Sequence, residues 1–303
     1  MRQLILFLVL IFPMTLWAHR EPINRTWLKI DKSNFINLMT VLKSENKSFE
    51  FYTETLENIH IRNNQDIGFG ARRITAAQYG GYISNWISIC TFKGEVFYCN
   101  VSISTSDADK MELLGRRDTV ISNMLEKYWT KKSFTQDSKS VKTYEYKFVN
   151  EDLYLQYMNS TKSKLGEIPN LPINSSLKEQ YDILLLPFEK YDFGYFCYGA
   201  GYPPVGRTAI EKVTENNPEL LRHIIKGYSP EGRIYGIEAI LKLAMEGKME
   251  LTAQDIAIIK KVLSLDIPIN RCQGCMVSSI TAKELFNEKE YVKLLKKNNI
   301  QLE

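Results

Sequence analysis

Histidine is scarce in this sequence, and the motifs that usually build a catalytic site around it are missing. The only imidazoles are His19, His60 and His223. His19 would begin the mature chain after signal cleavage, and His223 falls among helical core positions, so a catalytic histidine would have to be His60. No Gly-x-Ser-x-Gly elbow, His-Glu-x-x-His helix or phosphate-binding loop occurs. We therefore assign no catalytic residue, and a hydrolase remains an alternative only as an unrecognised site in the N-terminal domain.

An excess of charge of one sign is also missing. The chain has 39 basic and 35 acidic residues, a formal net charge of +4, which is too even to indicate a nucleic-acid-binding surface. The basic pairs Arg72-Arg73, Arg116-Arg117 and Lys131-Lys132 are expected on solvated faces. Histidines are few and the other cysteines are distant from Cys272 and Cys275, so no spacing indicates a metal site, and nothing indicates a cofactor. The partner that we expect is a protein, not a nucleic acid.

Long apolar runs are missing except at the N-terminus. There, Arg2 precedes an apolar run from Leu4 to Trp17, and Ala18 stands before a polar stretch that begins at His19. This order is typical of a secretory signal peptide, here residues 1–18. The run is shorter than the roughly 20 residues that a membrane-spanning helix needs. We expect export to the periplasm or the extracellular space and no stable transmembrane segment after cleavage, with an uncleaved anchor as the alternative.

Cysteine is present in an odd number, so at least one thiol is left unpaired. All five cysteines follow the signal, and export would permit disulfides. Cys90 and Cys99 flank the Lys93-Gly94 turn of a predicted hairpin and are candidates for a bridge between its strands, although such a turn would set them diagonally. Cys197 has no partner nearby in the sequence.

Cys272 and Cys275 form the sharpest local motif, a Cys-x-x-Cys. In the first turns of a helix the helix dipole would lower a thiol pKa, so this pair could be redox-active. A thioredoxin-like site, however, has a strand just before the motif, whereas Ile259 to Leu265 is predicted to be helical. We expect a structural disulfide between Cys272 and Cys275. A thiol–disulfide active pair and two buried apolar thiols are the alternatives.

The run from Ser229 to Glu246 gives the strongest secondary-structure signal. Ser229 can accept a hydrogen bond from a backbone N–H at the start of a helix, and Pro230 stands where a missing N–H has no cost. Apolar residues then cover most of the helix circumference, which predicts a helix that is covered on more than one side. Arg233 lies opposite the polar stripe, so its guanidinium must reach a carboxylate or the carbonyl groups of a neighbouring helix end.

The pattern of this run returns 38 residues later in the chain. The repeat-defining residues of the first copy are Pro230, Arg233 and Gly236, and those of the second are Pro268, Arg271 and Gly274. The match predicts a duplicated unit, in which one helix (218–228 or 253–265) precedes a turn and a second helix with arginine in its first turn. Such hairpins bury their apolar faces by stacking on one another.

The run from Asn217 to Leu243 resembles the HEAT-like family of short helical repeats, in which an apolar helix is followed by a turn, an arginine, a small residue and an apolar run. The likeness covers roughly residues 205 to 298. It implies a short α-solenoid and a role in binding or scaffolding, without naming the partner. The second copy departs from the pattern, because it has two cysteines and two serines where the first has three isoleucines and a leucine.

The preceding part of the chain is predicted to form an α+β domain with an antiparallel sheet. Residues 82–92 and 96–103 are rich in β-branched and aromatic side chains around a Lys-Gly turn, which predicts a hairpin. Residues 143–149 alternate strictly between apolar and polar side chains and predict a further strand. We expect an irregular loop at 68–81 and a central strand at 183–188.

An aromatic segment marks the transition between the two predicted domains, 19–195 and 196–303. It contains six aromatic residues, namely Tyr191, Phe193, Tyr195, Phe196, Tyr198 and Tyr202. Glycines and the Pro203-Pro204 pair exclude regular structure there. Tyr195, Tyr198 and Tyr202 are candidates for a surface that binds sugar or peptide, and packing between domains is the alternative.

The sequence therefore predicts an exported binding or scaffolding protein with two domains, an antiparallel α+β domain followed by a short HEAT-like α-solenoid. A thiol–disulfide active protein and an N-terminal hydrolase are the alternatives.

Overall fold

The computed structural model describes residues 24–103, 107–136, 139–170, 172–197 and 201–302. The predicted signal peptide and Tyr198 lie outside these ranges. The described chain combines helices with an N-terminal antiparallel sheet, which confirms the α+β class.

The N-terminal part is a six-stranded sheet with four helices. Its elements are α1 (Arg25–Lys43), α2 (Phe49–Thr55), β1 (Ile59–Gly68), β2 (Ala71–Tyr79), β3 (Ser84–Phe92), β4 (Glu95–Ile103), α3 (Ala108–Arg117), α4 (Thr119–Tyr128), β5 (Thr130–Gln136) and β6 (Lys139–Val149). The strand order is β1-β2-β3-β4-β6-β5, and each neighbouring pair is antiparallel.

Two strand predictions in this sheet are confirmed and one loop prediction is wrong. The hairpin around Lys93-Gly94 joins β3 to β4, and the predicted strand at 143–149 lies within β6. The expected loop at 68–81 contains β2 instead, in which Ile74 and Ala76 face the core. The glycines that indicated a loop flank this strand. Gly68 and Gly70 precede it and adopt positive φ, and Gly80 and Gly81 follow it.

The rest of the chain is helical apart from one small hairpin. Its elements are α5 (Glu151–Leu165), α6 (Ser175–Leu185), α7 (Val205–Asn216), a 3-10 turn (Pro218–Leu220), α8 (Leu221–Ile224), α9 (Pro230–Met245), α10 (Ala253–Leu263), β7 (Pro268–Gln273), β8 (Met276–Thr281), α11 (Ala282–Phe286) and α12 (Lys289–Lys297). The strand expected at 183–188 is wrong, because Ile183 to Leu185 form the last turn of α6.

The large sheet carries a separate hydrophobic core on each face. On one face, side chains such as Ile89 and Cys99 pack with α1 to α4. On the other, Cys90 and Tyr98 belong to a core that also contains the buried side chains of α5 to α9. This second core joins residues from before and after position 195, so the boundary expected there does not separate two cores.

The helix predicted to begin at Pro230 is present as α9. The Ser229 hydroxyl accepts a hydrogen bond from the Gly232 N–H at 3.3 Å, and Pro230 is the first helical residue. A Cβ on Gly236 would lie 3.0 Å from the side chains of Ile224 and Ile225, so a larger residue would require these side chains to shift by a few tenths of an ångström.

The predicted second copy of the helix is wrong, because residues 268–281 form the β7–β8 hairpin. Pro268 begins β7, and Gly274 adopts a φ of 63° in the turn. The cysteines and serines of this segment leave no continuous apolar helix face. In the hairpin, the apolar side chains that are buried are those of Ile269 and Cys272. Arg233 is buried, but Arg271 pairs with Glu288 near the surface, so the two arginines lie in unlike surroundings.

A buried ion pair between Arg73 and Glu231 connects the sheet to the start of α9. Arg73 Nη2 lies 2.7 Å from Glu231 Oε2, and both side chains are almost fully inaccessible to solvent. Gln65 donates to Glu231 and accepts from Arg73, each at 2.7 Å, and the backbone N–H of Asn270 donates to Glu231 at 2.9 Å. The expectation that Arg72-Arg73 is solvated is therefore correct for Arg72 only, since the alternation of β2 turns Arg73 inward.

Replacing Glu231 with glutamine should strongly destabilise the fold. The change leaves the Arg73 charge buried without its carboxylate, which costs about 3–5 kcal/mol of unfolding free energy. The control is Glu246→Gln, because Glu246 forms an exposed pair with Lys248 that contributes at most about 1 kcal/mol. Urea unfolding of both variants measures the difference, and equal losses would show that the buried pair is not a major source of stability.

Candidate functional site

Five exposed apolar side chains surround the junction between the aromatic segment and the β7–β8 hairpin. They are Tyr195, Phe196, Tyr202, Met276 and Val277, each between 44% and 72% exposed, and we refer to them as the aromatic patch. Large exposed apolar groups that cluster in this way commonly mark a binding surface. Tyr191 and Phe193 from the same segment are buried. Part of the predicted aromatic cluster therefore packs in the core, and part of it is exposed.

The backbone holds the segment that carries this patch against β7. The Phe193 N–H donates to Asn270 O at 2.7 Å, and the Cys272 N–H donates to Phe193 O at 2.9 Å. Single parallel bridges pair Phe193 with Arg271 and Cys197 with Gly274. The segment therefore lies along β7 as a short third strand, with β8 on the opposite side of β7.

The disulfide in this structure joins Cys197 to Cys272, with 5.7 Å between their Cα atoms. The two predicted pairings are therefore wrong. Cys275 is free and exposed beyond the last residue of β7, whereas Cys272 faces the aromatic segment. Cys90 and Cys99 are free because the alternation of β3 and β4 puts them in different cores, on opposite faces of the sheet.

Three charged residues, Arg207, Glu238 and Lys242, form a cluster that contacts Tyr195. Arg207 donates to Glu238 at 2.8 Å, Lys242 donates to the Tyr195 hydroxyl at 2.7 Å, and this hydroxyl also contacts Glu238. The Arg207 guanidinium lies 4.0 Å from the Tyr195 ring centre, close enough for a cation–π interaction. These residues border a surface pocket of about 290 Å³.

The protonation states of this cluster suit binding better than proton transfer. Burial would raise the pKa of Glu238, but the charges of Arg207 and Lys242 outweigh it, so the pKa is lowered. Burial, together with the Glu238 charge, raises the pKa of Tyr195. Near neutral pH the carboxylate therefore stays ionised and the phenol stays neutral. Neither group is near the pKa that general acid–base catalysis favours.

The histidines in the described chain do not form a catalytic group. His60 is exposed on β1, with its ring centre 5.4 Å from that of Tyr79. His223 is buried in α8, and this burial lowers its pKa. Its Nδ1 atom lies 3.3 Å from the Tyr181 hydroxyl oxygen. Among the described residues, no three His, Cys, Asp or Glu side chains are placed to hold a metal ion.

A second concave surface lies between the sheet and α6. This groove of about 760 Å³ has an aromatic floor in which the Tyr98 and Phe188 rings stack with centres 4.2 Å apart. Lys147 lies over both rings, and its Nζ is less than 6 Å from each centre. The groove is open and wide, and its rim carries charges of both signs, so it does not define one ligand.

Sequence reasoning found the tyrosines of the patch but missed the charged cluster beneath them. The four-residue spacing of Glu238 and Lys242 on one helix face could have indicated their pairing. Arg207 lies on a different helix, 31 residues before Glu238, and no local pattern connects the two. Met276 and Val277 were expected inside a helix and lie instead on an exposed strand.

The stability that Glu238 contributes should depend on pH. Because folding lowers its pKa, this stability is complete above the ordinary glutamate pKa and is lost as the pH falls through the lowered value. Between about pH 5 and about pH 3, the wild type should therefore lose more unfolding free energy than Glu238→Gln. The exposed Glu215→Gln variant is the control and should follow the wild type. Parallel slopes for all three proteins would contradict the assignment.

Cysteine reactivity should distinguish the three free thiols. Burial raises the pKa of Cys90 and of Cys99 to about 12, so both remain protonated and shielded, whereas Cys275 is exposed. A colorimetric disulfide reagent should titrate one thiol in the folded protein and three after unfolding. Three reactive thiols in the folded state would contradict the burial of the sheet cysteines.

No protein-family model, curated protein or solved structure matches this chain. Within the described ranges, none of the helices is both long and apolar enough to cross a bilayer.

Proposed function

We propose that this chain is an exported protein that binds a partner protein through the aromatic patch. The observation that carries the proposal is the exposure of five large apolar side chains on a platform that a disulfide and backbone hydrogen bonds hold in place. Aromatic side chains at such positions supply much of the binding energy in protein interfaces.

The rigidity of the platform favours binding. Tyr235, on the buried side of α9, accepts from the Gly194 N–H at 2.9 Å and donates to Asp192 O at 2.9 Å. Together with the Cys197–Cys272 bond, these contacts fix the segment before a partner arrives. A surface that is already ordered loses less conformational entropy on association, so more of the contact energy appears as affinity.

The charges beside the patch favour protein over nucleic acid as the partner. Arg207 and Lys242 lie next to Tyr195, and both bind Glu238. They are therefore not free to neutralise phosphates, which is the main source of affinity for nucleic acids. The exposed strand β8 begins with Met276 and Val277 and carries no charged side chain, a composition that suits an apolar protein interface.

Export is supported by the N-terminal sequence and is compatible with the disulfide, because such bonds persist mainly in oxidising compartments. The resemblance of residues 217–243 to HEAT-like repeats also favours binding or scaffolding, although residues 268–281 form a β-hairpin where the second helix of the repeated unit was predicted. The partner class follows from the patch and not from this resemblance.

Site-specific photo-crosslinking tests the proposal. A photoreactive phenylalanine analogue at position 196 should crosslink the exported protein to a partner in its own compartment. The same analogue at position 155 is the control, since Leu155 is similarly exposed, at 51% against 62% for Phe196, but lies on α5. Tyr202→Ser should reduce the product from position 196 at least several-fold.

Two results would contradict the proposal. One is equal crosslinking from positions 196 and 155, which would show that the patch has no preference for a partner. The other is a chain that keeps residues 1–18 and remains in the cytosol, which would contradict export.

A further inference from the structure

We propose that Cys275 is the attacking thiol of a three-cysteine exchange site, in which it displaces Cys197 from Cys272. The structure contains the two components that thiol–disulfide exchange needs, a free exposed thiol and a disulfide, within three residues of each other in the chain. This inference does not depend on a partner for the aromatic patch.

The hairpin turn brings Cys275 close to the disulfide. Cys272 ends the buried part of β7, and its Sγ lies 3.9 Å from the carbonyl oxygen of Gly274, the group joined directly to the Cys275 nitrogen. Gly274 adopts a φ of 63°, which reverses the chain just before Cys275. The Cys275 backbone therefore starts beside the sulfur that it would attack.

The other free thiols cannot take this role. Cys90 lies in the core between the sheet and the later helices, and Cys99 lies in the core on the opposite face. Both are fully buried, whereas Cys275 is exposed. An exchange reaction needs a thiolate that can reach the disulfide, and of the three free cysteines only Cys275 meets that requirement.

The reaction balances without an external oxidant or reductant. Cys275 loses its proton to solvent, and its thiolate forms a bond to the Sγ of Cys272. The bond between Cys272 and Cys197 breaks, and Cys197 leaves as a thiolate that takes a proton from solvent. One disulfide and one thiol are present before and after the step, so no net oxidation occurs.

The exchange would change how the aromatic segment is held. In the Cys197–Cys272 form, the segment that carries Tyr195 and Phe196 is bonded covalently to β7. In the Cys272–Cys275 form, noncovalent contacts such as the hydrogen bond from Phe193 to Asn270 would keep it there without a covalent bond. Because the leaving sulfur of Cys197 is fully buried, its thiolate is disfavoured and the exchange is slow. The Cys197–Cys272 bond is the form that the structure contains.

Disulfide mapping of the folded protein tests the exchange. The protein is held between about pH 6 and about pH 9 without added thiol, quenched with acid, alkylated and digested with pepsin at acidic pH, which stops further exchange. We expect a minor peptide pair joined through Cys272 and Cys275, together with an equal amount of alkylated Cys197. This pair should form faster at higher pH, because the thiolate and not the thiol attacks a disulfide.

Two variants separate exchange from artefact. Cys275→Ser should abolish both new species and keep the Cys197–Cys272 bond. Cys197→Ser should form the Cys272–Cys275 bond when oxidised glutathione is supplied, which tests directly whether the turn permits that geometry. The matched control is Cys90→Ser, which should exchange at the wild-type rate.

The proposal fails if Cys197 is never alkylated at any pH, or if Cys197→Ser leaves Cys272 and Cys275 unpaired after oxidation. It also fails if the new species persist in Cys275→Ser. These outcomes concern the cysteines alone, so they differ from the crosslinking outcomes that would contradict partner binding.

Discussion

The buried bond between Arg73 and Glu231 is the interaction on which the arrangement of this molecule depends. Arg73 comes from the second strand of the sheet, and Glu231 comes from the first turn of α9. Two charges removed from water must satisfy each other, so a docking position that separated them would be strongly disfavoured. Gln65 and Asn270 add hydrogen bonds to the Glu231 carboxylate, and through Asn270 the same carboxylate also positions β7.

The surface that we propose as functional is built on this buried arrangement. Asn270, which Glu231 holds, accepts the backbone hydrogen bond that places Phe193, and Cys272 follows two residues later with the disulfide. Further along α9, Glu238 forms ion pairs with Arg207 and Lys242 and a hydrogen bond with the Tyr195 hydroxyl. The first turn of α9 therefore contacts the sheet through Glu231, and the later turns of the same helix support the exposed Tyr195 through Glu238. The carboxylates at the centre of both arrangements, Glu231 and Glu238, are buried.

The cysteines show how a local pattern can indicate the correct chemistry and the wrong partner. The Cys-x-x-Cys spacing drew attention to Cys272, and Cys272 does form a disulfide. Its partner, Cys197, stands 75 residues away, because the aromatic segment runs beside β7 while the hairpin turn leaves Cys275 in solvent. The Cys90 and Cys99 pairing is excluded by the alternation of side chains across a sheet, which a spacing in the sequence does not reveal.

The sequence by itself determined the elements whose signals are local. The cap at Ser229 and the apolar circumference that follows it specify α9, and the β-branched residues around Lys93-Gly94 specify the hairpin of β3 and β4. Only the tertiary structure decided that Arg73 faces inward, that residues 268–281 form strands and that Cys197 meets Cys272. Those outcomes depend on the burial of charges and on backbone pairing between distant segments, so their energies arise only when these segments meet in the folded chain.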